Sequence, residues 1–171
     1  MRAPGPLLLS ALLAASLGLA AYRPAAPALL LNTTPSEPLG LYHRIDTPIR
    51  PGVRIAFRPP AAARAFLNHT GQGRVSLLKT VVAGPGAVAC VEGAVLVVDG
   101  RRLGSVAARD RSGRALPHWS GCRRLAADEH LVFSSAIPNS FDSRYYGPIR
   151  QAEILGVYAP MGERSLRDGG R

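Results

Sequence analysis

Between residues 75 and 103 the chain is cut by turn signals so closely spaced that no helix of ordinary length fits between them. Ala83-Gly-Pro-Gly86 closes the aliphatic segment 75–82, Glu92-Gly93 separates 87–91 from 94–98, and Asp99-Gly100 leads into 101–103. Asp-Gly is a two-residue hairpin signal, because both central positions of the tight turn need φ > 0. Short apolar segments between such turns predict a β-meander. The same punctuation recurs along the chain, which carries 15 Pro and 18 Gly in 171 residues, and extends the expectation to one antiparallel, mainly β domain. Further strands are expected at 52–57, 131–133 and 149–158, with one or two helical turns in 61–73. Residues 101–114 read as a basic solvated loop, or as one that touches anionic lipid head groups.

Residues 6–21 form an apolar run closed by Tyr22 and Arg23, which reads as an export segment. Its length lies between a signal-peptide core and a short membrane anchor. Gly18 and Ala20 suit a cleavage site, whereas the apolar continuation over 25–31 would extend contact with a bilayer. The expected division is a signal or anchor segment with one apolar helix (1–31), a folded domain (32–160) and a polar tail (161–171). Export places the domain in the periplasm, held at the inner membrane or free if the leader is removed. The formal net charge of +10 would otherwise admit nucleic acid. Export excludes it, and leaves inner-membrane lipid as the surface partner. Cys90 and Cys122 are the only cysteines, which in an oxidising compartment reads as one disulfide, with two buried thiols as the alternative. The four histidines are scattered, no C-x-x-C occurs, and no metal or cofactor is expected.

The chain has twenty Arg and a single Lys, Lys79. Arginine is effectively never deprotonated, so Lys79 alone can offer a neutral amine. With a period of two, Lys79 shares a strand face with Val75, Leu77 and Val81, while Ser76, Leu78, Thr80 and Val82 share the other. Desolvation on an aliphatic face lowers a lysine pKa. The plainer alternative is an edge lysine that snorkels to water. Ser36 lies in Asn-Thr-Thr-Pro-Ser-Glu-Pro-Leu-Gly-Leu-Tyr (32–42), where Pro35, Pro38 and Gly40 exclude helix interior. An extended or turning backbone can hold its hydroxyl at the rim of a site, but a serine needs a base to act as a nucleophile. Ser76-Leu-Leu-Lys79 fits S-x-x-K only in spelling, since a strand puts the two side chains on opposite faces. Residues 138–147 read as a polar loop in which Asp142 and Arg144 are close enough to pair.

Taken in order, Ser36, the Lys79 strand with its Gly-Pro-Gly turn, and Asn139-Ser-Phe-Asp-Ser-Arg-Tyr-Tyr-Gly-Pro148 resemble the signal peptidase superfamily with a Ser/Lys dyad. The alternation Asn32, Thr34, Ser36, Pro38, Gly40, Tyr42 is similar to the TraF-type conjugal-transfer peptidases. Departures from leader peptidases are Glu37 in place of methionine after the serine, Thr80 in place of arginine after the lysine, and Ala87 in place of an acidic residue. The resemblance implies a signal-peptidase-like antiparallel β-sheet or barrel and a serine endopeptidase needing no cofactor. Ser36 would attack the scissile carbonyl and Lys79 would take and return its proton. The Thr34 hydroxyl and the Ser36 N–H would form the oxyanion hole, Ser140 would orient the amine, and Asp142 with Arg144 would support the site. The implied substrate is an exported propilin or other precursor peptide, its acyl group passing to water or to the substrate's own amino terminus. The rival expectations are a general type I signal peptidase and a non-catalytic periplasmic component of the secretion apparatus.

Overall fold

A computed structural model describes residues 26–69 and 76–162. The expected N-terminal apolar helix and most of the polar tail lie outside these. Eleven strands are found: β1 (Leu29–Asn32), β2 (Gly40–Ile45), β3 (Arg54–Phe57), β4 (Leu77–Ala83), β5 (Val88–Glu92), β6 (Val95–Val98), β7 (Arg101–Ser105), β8 (Gly121–Arg124), β9 (Glu129–Val132), β10 (Ile149–Arg150) and β11 (Ile154–Pro160). Two helices accompany them, α1 (Ala61–His69) and α2 (Ser143–Tyr146). The strands form a seven-stranded sheet in the order β1-β2-β11-β3-β4-β9-β10 and a four-stranded sheet in the order β7-β6-β5-β8. Every pairing is antiparallel. The domain is therefore mainly β, as expected, and its larger sheet is open among the described residues instead of a closed barrel.

Local chemistry accounts for the elements. Asp99 and Gly100 both take positive φ (47° and 77°), the conformation a two-residue β6–β7 turn demands. Helix α1 starts just after Pro59-Pro60, where fixed φ is tolerated, and buries Ala63 and Leu67 four residues apart on one face. On β4 the two-residue period divides the side chains between clusters: Val81 and Leu77 pack into the main core with Ile55, Phe57 and Val132, whereas Leu78 joins Tyr42, Ala56 and Tyr158. A second core lies under the four-stranded sheet, around Ala89, Leu96 and Leu131. Cys90 and Cys122, register partners on β5 and β8, form the disulfide.

Three segments differ from expectation. Residues 29–31, read as a continuation of the apolar leader, belong with Asn32 to edge strand β1, paired to β2. Strand alternation explains this: Leu30 packs against the Tyr42–Tyr158 cluster, while Leu29 and Leu31 point outward, 53% and 66% exposed. In the basic stretch 101–114 the hairpin arm expected at 101–103 runs two residues further, to Ser105, so less of the stretch is loop than expected. Within 138–147 the chain closes a helical turn at α2, because Asp142 accepts from the Arg144 N–H (3.2 Å) and caps it.

Candidate active site

The segment between β1 and β2 carries Ser36 as an irregular loop held by its own first residue. Asn32 is buried, and its side-chain nitrogen lies 2.9 Å from each of the carbonyl oxygens of Thr34, Glu37 and Pro38. Its oxygen accepts from the Thr34 N–H (3.2 Å) and hydroxyl (3.1 Å). Tyr42 adds a hydrogen bond from its hydroxyl to the Pro38 carbonyl (2.8 Å). From outside the loop, the Ser134 hydroxyl donates to the Ser36 carbonyl. The alternating polar and turn residues of this stretch thus pin one backbone shape, since buried polar groups left unpaired would each cost about 1–3 kcal/mol.

Ser36 is 5% exposed, and so is Lys79, whose Nζ donates a hydrogen bond to the Ser36 Oγ. Lys79 leaves β4 on the face of Leu77 and Val81 and does not reach open solvent, so the snorkelling alternative does not hold. Burial pushes its pKa below the ordinary lysine value; the Asp142 and Glu37 carboxylates oppose that shift, and the Arg144 guanidinium adds to it. The Thr34 hydroxyl lies 3.4 Å from the Ser36 Oγ, at the long end of hydrogen-bonding distance.

Behind the pair stands the ion pair of the late segment. Arg144 Nε donates to Asp142 Oδ1 and an outer nitrogen donates to Oδ2, both at 2.9 Å. The remaining donors reach the carbonyls of Ser140 (3.0 Å), Pro138 (2.8 Å) and Ser105 (3.3 Å). The guanidinium also lies over the Phe133 ring, 4.6 Å from its centroid. Asp142 Oδ2 accepts from the Ser134 N–H (3.1 Å), so the ion pair is coupled through Ser134 to the Ser36 carbonyl. Ser140 is buried with its hydroxyl unpartnered among the described residues; no hydrogen bond joins it to Lys79. The Tyr146 hydroxyl is likewise buried and unpartnered, and burial drives its pKa well above the ordinary tyrosine value.

Two cavities border the pair. One, of about 250 Å³, runs between β1 and the start of β4 and is lined by Leu30, Leu31, Thr34, Leu77, Leu78 and Lys79. The other, of about 270 Å³, is lined by Ser36, Glu37, Arg54, Thr80 and Ser134 among others. A serine oxygen beside a desolvated amine, with a recess on either hand, is an arrangement in which a hydroxyl can be activated by a neighbouring base. Sequence reading did not single out Asn32, Glu37 or Ser134 for the site. Asn32 stands in the alternating pattern of residues 32–42, whereas Ser134 is one small residue in an irregular Ser-Ser-Ala segment and carries no sequence signal.

Comparisons with known proteins cover most of the chain, the site segments included. Residues 11–161 match the family described as signal peptidase, peptidase S26, and the chain belongs to that family of peptidases. Among its relatives, the plasmid transfer protein TraF of Escherichia coli is 32% identical over 144 residues, covering 77% of this chain and 81% of that protein. The probable conjugal transfer protein TraF of Sinorhizobium fredii is 36% identical over 149 residues, covering 76% and 78%. Among solved structures, a signal peptidase I from Enterococcus faecalis V583 aligns with a TM-score of 0.39 and 17% identity, covering 65% of this chain and 97% of that one.

Proposed function

We propose that this protein is a membrane-associated serine endopeptidase in which Ser36 and Lys79 form a catalytic dyad that cleaves an exported precursor, namely the propilin of a conjugative secretion system. The observation that carries the reading is the direct hydrogen bond between the one lysine amine of the chain and the Ser36 oxygen, both shielded from water. A base must lie within hydrogen-bond reach of the proton it takes, and its pKa must approach the working pH; burial acts on Lys79 in that direction.

The roles then follow in sequence. Lys79, neutral when poised, accepts the hydroxyl proton as Ser36 attacks, and returns it to the leaving amine. The Ser36 N–H and the Thr34 hydroxyl, once its proton turns from the Asn32 oxygen, stabilise the oxyanion, a contribution of about 3–4 kcal/mol for one such donor. The Asp142–Arg144 pair holds the wall behind the amine; the buried Ser140 hydroxyl makes no hydrogen bond to Lys79 in this state and would orient the amine only after a change of side-chain position. The cavity between β1 and β4 takes small apolar side chains beside the scissile bond. The propilin assignment rests on the conjugal-transfer relatives and on Glu37 standing where leader peptidases have methionine. In this reading the export segment keeps the domain at the periplasmic face of the inner membrane. The acyl group passes to water or, in circular pilins, to the pilin's own amino terminus.

The test is mass spectrometry of the pilin produced with wild-type protein and with Ser36→Ala, Lys79→Ala and Lys79→Arg. Each variant is expected to leave the precursor unprocessed, with rate losses of about 10⁴-fold or more. Lys79→Arg belongs in the set because arginine restores charge but cannot become a base. Normal maturation by Ser36→Ala or Lys79→Ala would leave a binding component of the apparatus as the only reading. Processing of many unrelated secretory precursors would instead mark a general signal peptidase.

A further inference from the structure

Glu37 and Thr80 are both departures from the leader-peptidase pattern, one directly after the serine and one directly after the lysine, and the structure joins them. The Glu37 carboxylate is buried, 5% exposed. Its Oε1 accepts from the Thr80 N–H at 2.8 Å and from the Thr80 hydroxyl at 3.0 Å. Its Oε2 lies 3.0 Å from the same hydroxyl and accepts from Arg54 Nε at 3.0 Å. Arg54 is the register partner of Thr80 in the β3–β4 pair.

Strand geometry explains why a carboxylate is wanted there. The Thr80 carbonyl accepts from the Phe133 N–H (3.0 Å) just past the end of β9. The Thr80 N–H points to the same side of β4, where β9 no longer pairs with it, and the Glu37 carboxylate takes the place of the missing strand neighbour. We propose that Glu37 is a positioning residue that clamps the nucleophile loop onto the lysine-bearing strand, so that the Ser36–Lys79 and Glu37–Thr80 contacts form two rungs of one ladder. This inference rests on the Ser36–Lys79 reading. It adds that register between the two segments is set by a charged side chain that neither attacks nor accepts the reacting proton.

The clamp has an electrostatic consequence besides its geometric one. The groups that act on the Lys79 amine are the Asp142 and Glu37 carboxylates, which favour its protonated form, and the Arg144 guanidinium, which with burial disfavours it. Glu37 itself faces Arg54 from β3 and Lys79 from β4. Removing the Glu37 charge while keeping its shape therefore moves the amine's titration to lower pH.

The experiment measures kcat and kcat/KM against pH on a peptide spanning the cleavage site, for the full chain and for Glu37→Gln, Glu37→Ala and Thr80→Val. Lys79→Ala serves as the control and melting curves for all variants report folding. Glu37→Ala is expected to lose about 10²-fold in kcat with little change in KM, the scale of a small misplacement of reacting groups. Thr80→Val keeps the backbone rung and is expected to lose less. Glu37→Gln keeps an acceptor for Thr80, so it folds, and its acid limb in kcat/KM is expected to shift to lower pH. A purely structural glutamate would lower the melting temperature without moving that limb. Glu37→Ala with kcat within twofold of wild type overturns the clamp, and Glu37→Gln with an unmoved or raised acid limb overturns its electrostatic part, while an inactive Lys79→Ala leaves the dyad standing. An active Lys79→Ala removes the dyad and the clamp together.

Discussion

Two ion pairs of the same chemistry show how differently this molecule uses charge. Arg114 and Asp110 lie four residues apart in the loop after β7, with Nε and Oδ2 at 2.7 Å, and their side chains are 48% and 17% exposed. Arg144 and Asp142 pair at 2.9 Å with side-chain exposures of 2% and 0%. The first pair mainly closes its own loop: Asp110 also accepts from the N–H groups of Ser112 and Arg114. The second reaches outward, to the carbonyls of Ser105, Pro138 and Ser140 and, through Ser134, to the carbonyl of Ser36. Water screens the exposed pair and would replace its hydrogen bonds if it opened, whereas nothing replaces those of the buried one. The buried pair therefore carries the junction between the four-stranded sheet and the candidate site, and the exposed pair carries a turn.

The largest expected effect comes from breaking the buried pair on one side. Arg144→Ala leaves the Asp142 charge buried without its partner, a loss of about 3–5 kcal/mol for buried pairs, to be read by chemical denaturation. It has a second signature. Arg144 disfavours the protonated form of Lys79, so its removal should raise the acid limb of kcat/KM, opposite in sign to the shift expected for Glu37→Gln. An unchanged stability would mean that the pair is as dispensable as its surface counterpart.

A smaller effect tests the seam that Arg144 seals. A Cβ built at Gly104 on β7 would sit 2.9 Å from Phe133 Cζ and 3.3 Å from an outer nitrogen of Arg144. Both are held, the ring by the core and the guanidinium by its acceptors, so Gly104→Ala is expected to cost about 1–3 kcal/mol as overpacking. Thermal melts with and without the substitution check this. The comparison sharpens if the same change at exposed Gly113, whose added Cβ meets nothing within 4 Å, acts only through its positive φ of 79°.

The contrast also explains what could be read from sequence. The meander β4–β7 was legible because its turns, Gly-Pro-Gly and Asp-Gly, are dictated by backbone sterics that act locally. The exceptional standing of Lys79 was legible because strand period two put the sole amine among Leu77 and Val81. Strand β1 was hidden since Leu29–Asn32 continues an apolar leader, and β8 was hidden since Gly121–Arg124 is exposed at every position and has no alternation to detect. Glu37 was legible as a departure from leader peptidases but not as a clamp, because its partners Thr80 and Arg54 lie 43 and 17 residues away and meet only through β3–β4 pairing. Asp142 and Arg144 were readable as a pair, but their burial was not: it depends on Phe133 and β7 closing over them.

The smallest effect is expected at the exposed pair, and it bears on the comparison from the other side. In Asp110→Ala the Ser112 and Arg114 N–H groups lose their acceptor but lie at the surface, where water supplies another. Arg109 still holds the same loop through its bond to the Gly113 carbonyl (2.7 Å). Melting temperature and precursor cleavage should therefore both match wild type, and raising the salt concentration should change neither difference. A double-mutant cycle with Arg114→Ala should return a coupling indistinguishable from zero, while the cycle on Asp142 and Arg144 returns a large one. If the exposed pair coupled as strongly as the buried one, solvent would not be the variable separating them, and the network reaching Ser36 would lose its claim to be special.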